Sequence, residues 1–491
     1  MARREKGIFP MPYCVAFRPD ATLQRQENET RLRTQFGALE LTKLQAALPG
    51  MVDRIAAGRD TEEALAGWVL ETRGLKGLSI FHRWWAVLVQ HAYIAYRLRD
   101  EDRVLAHLNP LGFGFRFSAR PLDEDGPWCL SRFALMRRRD RDLVLECPKA
   151  WAEVVVRDPR LCALLFSLTG VVDRNSLSRT TDLPPRSVAA FLAMLRCAGA
   201  LCRIDPDGRP DEEKHQALAH WDVHDLYFHS RSRMGRHANG WATTYRFKGR
   251  FDPLPQIKAP MSPEVIDLHR PDSRVQAPAE AAPGFFPVLE TRASRRCYAS
   301  EPIHLRQLGE FLHHCFRVKQ KYDDELGGVT FRPTPGGGAL HSLELYVLVQ
   351  ACQGLAPGFY HYQPLDHRLE KIGDPTPLTQ RMLLLGRQMM LDQDDPQVEI
   401  VVASRFQRIQ WKYESIAYSV ILKDVGCLYQ TMYLVAEAMG LAGVALGGGD
   451  ADLFAAVSGL DYFAEGSVGA FMLGSRRPSD DADPKKEVHH E

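Results

Sequence analysis

"WKYESIAYSVILKDVGCLYQTMYLVAEAMGLAG", residues 411–443, is the stretch on which the fold reading turns. Beyond Lys412-Tyr413, apolar side chains return at helical spacing: Val425, Leu428, Met432, Val435 and Met439. The spacing predicts a long, largely apolar helix that starts at the Lys-Tyr pair and suits a dimer core better than a solvated surface. Downstream, "GVALGGGD" (443–450) reads as a strand ending in a glycine-rich turn, and "GSVGAFMLGSRRPSDD" (466–481) as a strand followed by Arg476 and Arg477. Upstream, the prolines of "FRPTPGGGALHSLELYVLV" (331–349) force an extended entry, and its three glycines let backbone approach a planar ligand closely. Further upstream, "ETRASRRCYAS" (290–300) groups Arg292, Ser294, Arg295 and Arg296, guanidinium forks and a hydroxyl suited to a phosphate monoester. Each stretch alone also reads as something plainer: a surface basic cluster, a glycine turn, a helix start.

The chain as a whole narrows the classes. Its 491 residues suffice for about three domains at about 150 residues each. With 45% hydrophobic and 25% charged residues the composition is that of an ordinary globular protein. A net charge of +1 gives no field favouring nucleic acid or an anionic membrane. The longest apolar run, "LSIFHRWWAVLVQHAYIAY", is cut by His82, Arg83 and His91, and "MARREKGIFPMPYC" lacks the apolar core of a signal peptide. The reading is a cytoplasmic protein, not a membrane one. Ten cysteines without CxxC spacing suit a reducing compartment. "HWDVH" places His220 and His224 four apart but puts Trp221 where a zincin needs glutamate, and no GxxxxGK[ST] loop occurs, so no metal is expected.

The expected fold class is α+β, with the C-terminal unit preceded by two winged-helix-like modules. Prolines at 253, 255, 260, 263, 271, 278, 283 and 287 mark 251–287 as an extended linker. Ahead of it, a break near "ARPLDEDGPW" (119–128) separates modules 1–124 and 125–250; behind it lie a compact domain, 288–478, and a disordered tail, 479–491. In the second module "RFALMRRRDRDLVLECP" alternates like two strands, and "DPRLCALLFSLTG", "DRNSLSRTTDL" and "PPRSVAAFLAMLRCAGAL" read as three helices. In the first, "TEEALAGWVLETRG" and "SIFHRWWAVLVQHAYIAYRL" read as helices. A winged helix invites a DNA reading, with Arg137, Arg138, Arg139 and Arg141 on phosphates. The third helix carries only Arg186 and Arg196 among apolar residues, whereas a groove-reading helix needs several polar side chains. The arginine run reads first as a solvated strand turn, and next as part of a peptide-binding module.

"RASRR", "RPTPGGGALHSLELY", "WKYESIAY", "KDVGCLYQTMYLVAEAMGLAG" and "GAFMLGSRR" follow the order seen in nitroreductase-fold flavoproteins, and resemble most the SagB/ThcOx-type azoline dehydrogenases of ribosomal peptide biosynthesis. The resemblance covers about residues 288–478. "HWDVHDLYFHSRSRMGRHANGWATTYRF" resembles the segment ahead of the flavin domain, and the first 210 residues resemble cyanobactin oxidases in architecture only. The resemblance implies FMN at a homodimer interface. It places Arg292, Ser294 and Arg296 on the phosphate and ribityl chain, with Arg476 as second phosphate arginine. Pro335, Gly336, Gly337 and Ala339, helped by Ser342, run along the isoalloxazine; Gln430 matches the glutamine of the long helix; Gly447 and Gly448 form the turn beneath the flavin. Arg295 finds no role, and the third glycine, Gly338, leaves the loop register open by one position.

Lys412-Tyr413 matches the family's catalytic pair. Oxidising a thiazoline or oxazoline to the azole removes a ring proton and a hydride; the hydride goes to flavin N5, so a protein group must take the proton. An unperturbed lysine, with a pKa near about 10.4, is a poor base at neutral pH, but burial lowers such a pKa and a neighbouring phenol can share the proton. The expected activity is FMN-dependent azoline oxidation in a peptide, with oxygen as final acceptor. An NAD(P)H-dependent nitro or quinone reductase, and a flavin-containing peptide- or DNA-binding protein, are the alternatives. The roughly 290 residues ahead of the flavin domain argue against the reductase.

Overall fold

A computed structural model describes residues 13–26, 29–34, 37–118, 127–237, 239–271 and 283–478. The expected tail, the core of the "ARPLDEDGPW" break and part of the proline-rich stretch lie outside these. The chain divides into two compact units, 1–240 and 241–491.

The second unit is built on seven antiparallel strands: β1 (Val265–Asp267), β2 (Leu343–Val349), β3 (Gly358–Gln363), β4 (Arg368–Gly373), β5 (Val398–Arg405), β6 (Leu441–Leu446) and β7 (Glu465–Ser475), in the order β1-β4-β3-β2-β5-β7-β6. Every residue of "LELYVLV" is buried, because successive side chains enter opposite layers. Leu345 and Val347 join α1 (Leu305–Phe316) and α3 (Ala417–Ala438) on one face, while Tyr346 and Leu348 join α2 (Pro377–Met389) and α4 (Ala451–Ser458) on the other. Helix α3 shows the expected periodicity, with Ile421, Val425, Leu428 and Met432 buried. It stops at Met439, where Gly440 (φ +64°) takes the left-handed turn into β6.

Two expectations about this unit need correction. Helix α3 begins at Ala417 rather than at the Lys-Tyr pair: Tyr413–Glu414 forms a two-residue strand with Ala242–Thr243, and Ser415 (φ +61°) breaks any helix between. The described part of 251–287 is not a free linker. Its prolines lack N–H groups, but carbonyls in the segment still accept: Arg408 Nη1 donates to Leu254 O at 2.7 Å and Arg405 Nη2 to Pro255 O at 2.9 Å. Farther along, β1 adds an edge strand to the sheet.

In the first unit, six antiparallel strands (13–17, 94–100, 103–110, 152–156, 142–146 and 135–139, in spatial order) form one sheet, so strands on both sides of residue 124 share it. One apolar core runs from Tyr13 to Leu226. The hairpin and three helices read in 129–205 appear as Leu135–Arg139, Asp142–Glu146, Pro159–Ser167, Arg174–Thr180 and Pro185–Cys197. Ser187–Leu195 are all buried, so the last helix has no face to offer a groove. In the first half, one helix, Glu62–Gln90, kinks at Gly74, and "IAYRLRD" turns out to be a strand: Ala92 (φ +59°) ends the helix and the following residues alternate with period two.

Candidate active site

Two groups of side chains collect at opposite ends of α3. At its N-terminal end, the short helical turn Gly337–Ala339 meets the Lys-Tyr pair. Gly338 (φ +60°) lies against both: a Cβ there would collide with Tyr413 Oη and come 3.0 Å from Lys412 Nζ. The Lys412 ammonium sits 5.3 Å from the Tyr413 ring centroid. Asp424, buried about two turns into α3, accepts from Gly337 N with both carboxylate oxygens at 3.0 Å. Burial pushes its carboxyl up to about 6 despite that bond. The Tyr413 phenol is raised too, first by burial and then by Asp424. The loop is packed so closely that a Cβ at Gly337 would collide with Val420 and one at Gly336 would lie 2.7 Å from His341 Nδ1. Backbone from the start of the unit braces the pair: Thr244 N donates to Lys412 O at 3.1 Å, and Trp411 Nε1 to Phe251 O at 2.7 Å.

At the other end of α3, Tyr433 and Glu437 hold the arginine-serine cluster. Ser294 Oγ and Tyr433 Oη are 3.0 Å apart, and the Arg292 guanidinium lies 4.9 Å from the Tyr433 ring centroid. Arg295, 3% exposed, faces Glu437 Oε2 at 3.6 Å, while Arg476 Nη1 donates to Glu437 Oε1 at 3.1 Å. Gly447 and Gly448 follow the end of β6, where Tyr429 Oη donates to Leu446 O at 3.3 Å. A Cβ on Gly447 would meet nothing within 4 Å, so this turn is an open bed.

The remaining sequence candidates are placed as follows. Pro335 is exposed ahead of the glycine loop, and Ala339 closes it in a left-handed conformation (φ +56°). Ser342 is fully buried with its hydroxyl 3.0 Å from that of Ser404, inside the sheet. Gln430 is exposed on α3 between the two groups. Asp424 and Glu437 were missed. Their signal is an acidic residue on an otherwise apolar helical stripe, which is costly unless it has partners. From Asp424 to Glu437 is thirteen residues of helix, about 20 Å, so one chain does not bring its two groups together.

An antiparallel α+β sheet with a glycine bed at one end of an edge strand, an arginine-serine cluster at the other, and a long apolar helix beneath defines a nitroreductase-fold domain. The model of the nitroreductase family matches residues 289–475, and that of cyanobactin oxidase ThcOx matches 128–238. The nitroreductase-type protein MJ1384 of Methanocaldococcus jannaschii is 31% identical over 160 residues, 33% of this chain and 76% of the relative. The chain belongs to the nitroreductase family, and in joining a segment that matches the ThcOx model to a C-terminal nitroreductase domain it is of the SagB/ThcOx type. The microcin B17-processing protein McbC of Escherichia coli is 32% identical over 119 residues, 23% of this chain and 43% of the relative. The trifolitoxin-processing protein TfxB of Rhizobium leguminosarum is 27% identical over 145 residues, 29% of this chain and 39% of the relative. The chain thus spans less than half the length of these two relatives. Among solved structures, a nitroreductase of Ralstonia eutropha is similar at TM-score 0.35 and 20% identity, covering 49% of this chain and 99% of its own. A chain of the E. coli microcin synthetase McbBCD complex with truncated pro-MccB17 bound is similar at 0.32 and 20%, covering 54% and 99%. Among the described residues no helix is long and apolar enough to cross a membrane.

Proposed function

We propose that this chain is an FMN-dependent dehydrogenase that oxidises thiazoline or oxazoline rings of a ribosomally made peptide to thiazoles or oxazoles, with oxygen as final acceptor. The observation that carries this reading is the convergence of Lys412 Nζ and Tyr413 Oη on Gly338, beside the buried Asp424. Two relatives are peptide-processing proteins by name, which supports a peptide substrate.

The residues present fit a flavin mononucleotide. Among the described residues Arg296 Nε is a buried donor without an acceptor, as is Arg295 Nε, in the cluster where a phosphate would bind. Arg292, Ser294, Arg296 and Arg476 would hold the phosphate; Pro335, Gly336, Gly337, Ala339 and Gln430 would line the ring, with Gly447 and Gly448 beneath it. Ser342 would steady the loop through Ser404 without touching the ligand. Bound FMN would supply the hydride acceptor. Lys412 and Tyr413 would take the ring proton as a unit, with Asp424 keeping the glycine loop against them.

Because the two halves lie about 20 Å apart along α3, a second copy with antiparallel α3 would bring the glycine loop of one chain to the arginine cluster of the other. Leu422, 39% exposed on α3, offers such an interface an apolar contact. The reading therefore includes a homodimer with FMN between subunits.

Anaerobic mixing tests the proposal. An azoline peptide is expected to bleach the flavin absorbance, and NADH is not. Rapid bleaching by NADH with none from several azoline peptides would replace the proposal with an NAD(P)H reductase. A colourless protein that takes up no added FMN would sink both. Gly338→Ala should lower peptide-driven bleaching tenfold or more while flavin content stays at the wild-type level, because the methyl displaces both Tyr413 and Lys412 and adds about 1–2 kcal/mol of left-handed strain. Single-turnover kinetics checks it.

A further inference from the structure

A cavity of about 340 Å³ is walled by α2, α3, α4, β5, β7 and the Gly447–Gly449 turn. Its floor carries a group that the oxidation chemistry leaves unused. Glu399 sits in "VEIVVASR" of β5, on the face shared with Val401 and Ala403. It pairs in register with Leu348 and Met472, which offer it no hydrogen bond. The residue is only 6% exposed, and its Oε2 has no hydrogen-bond partner among the described residues. That oxygen faces α2 at Gly386, where an added Cβ would stand 3.7 Å from it.

A carboxyl so placed costs stability unless something completes it. The rest of the lining says what would. Three aromatic side chains, Tyr418, Tyr429 and Phe454, border the cavity, and a second carboxylate, Asp450, stands at its exposed rim. Among the described residues no lysine, arginine or histidine lines it. Aromatic faces and acidic groups without a competing cation favour a desolvated positive charge. An anion would meet two carboxylates.

We infer that this cavity is a binding site for a small organic monocation, an ammonium or amidinium group on an apolar body, whose charge pairs with Glu399 while its body packs on the aromatic walls. The site stands on the cavity alone and does not depend on the oxidation chemistry proposed above. Unliganded, Glu399 is pushed up to about 8 by burial, so below that pH it is mostly protonated. The other titratable groups on the lining are Asp450, Tyr418 and Tyr429. A cation that pairs with the ionised form must therefore release a proton as it binds near neutral pH.

The test is isothermal titration of the flavin-loaded full chain at pH 7 with benzamidinium, and with benzamide as a neutral probe of the same shape. The expected result is one saturable site for benzamidinium, binding by benzamide at least tenfold weaker, and an apparent enthalpy that varies with buffer ionisation enthalpy as release of part of a proton requires. Glu399→Gln should weaken benzamidinium tenfold or more and abolish the buffer dependence, with circular dichroism checking its fold. If that variant does not fold, the buffer dependence of the wild type decides. Equal binding of both probes, no buffer dependence, or no heat at all would overturn the inference. So would release of flavin by benzamidinium, since the cavity would then be part of the flavin bed.

Discussion

Lys412→Ala and Tyr413→Phe should each keep the yellow colour and the melting temperature of the parent, and lose azoline oxidation by 10²–10⁴-fold, the range general acid–base groups contribute. The two side chains meet over Gly338, with the ammonium held near the phenol ring. Both are only partly buried, so their removal leaves no large cavity, and α3 starts beyond them at Ala417. Stability should be spared while the proton acceptor is lost. The double variant should be little worse than the worse single one, because residues acting as a unit are not additive. Rapid-mixing reduction by an azoline peptide under nitrogen measures the step directly. If either single variant reduces its flavin at the parent rate, the pair is a brace for the loop and the base must be sought elsewhere. Asp424→Asn is informative beside them. It keeps an acceptor for Gly337 N but removes the group held at about 6, so it should flatten any acid limb of the pH–rate profile near that value while costing less in rate.

The features that were legible in the sequence are those with a local period or a local motif. The buried stripe of α3, the "LELYVLV" strand and the hairpin at residues 135–146 follow from side-chain spacing. The Lys-Tyr pair and the glycine loop were found by motif, but not their meeting. Gly338 left the register of the loop open; in the fold it is the glycine that touches both Lys412 and Tyr413. Asp424 and Glu437 escaped notice because a single charge on an apolar stripe reads as an interruption until its partners appear from 87 and 39 residues away. Arg295, left without a role, proves to be a further partner of Glu437. The stretch at 251–271 was misread for a related reason. Proline content predicts what a segment cannot donate, and says nothing about which arginines will seek its carbonyls. Glu399 is the extreme case: in "PQVEIVV" it looks like a solvent-facing member of an alternating strand, but the sheet is covered on both faces.

Glu437→Ala should destabilise the second unit by about 3–5 kcal/mol in the flavin-free protein, the cost typical of breaking a buried ion pair from one side. Glu437 is 8% exposed and holds Arg295 and Arg476 with its two oxygens. Arg295, at 3% exposure, cannot reach water when its partner is lost, and its Nε already lacks an acceptor. Spread over a unit of this size, such a loss lowers the melting temperature by roughly 10 °C. The same glutamate offsets positive charge in the cluster proposed to hold the flavin phosphate. With it removed, a phosphate dianion becomes the main counter-charge for Arg295, Arg296 and Arg476. FMN should therefore raise the melting temperature of Glu437→Ala by more degrees than it raises that of the parent, through preferential binding to the folded state. Riboflavin, which lacks the phosphate, should give no such excess. Adding Arg295→Met to Glu437→Ala should recover most of the lost stability, since the stranded charge is then gone and a flexible apolar chain fills its place. Thermal unfolding of the three proteins with FMN, riboflavin or neither reads all three effects. An equal increment from FMN in parent and variant would mean that Glu437 only braces α3 against Arg295 and the end of β7, and that the phosphate binds elsewhere.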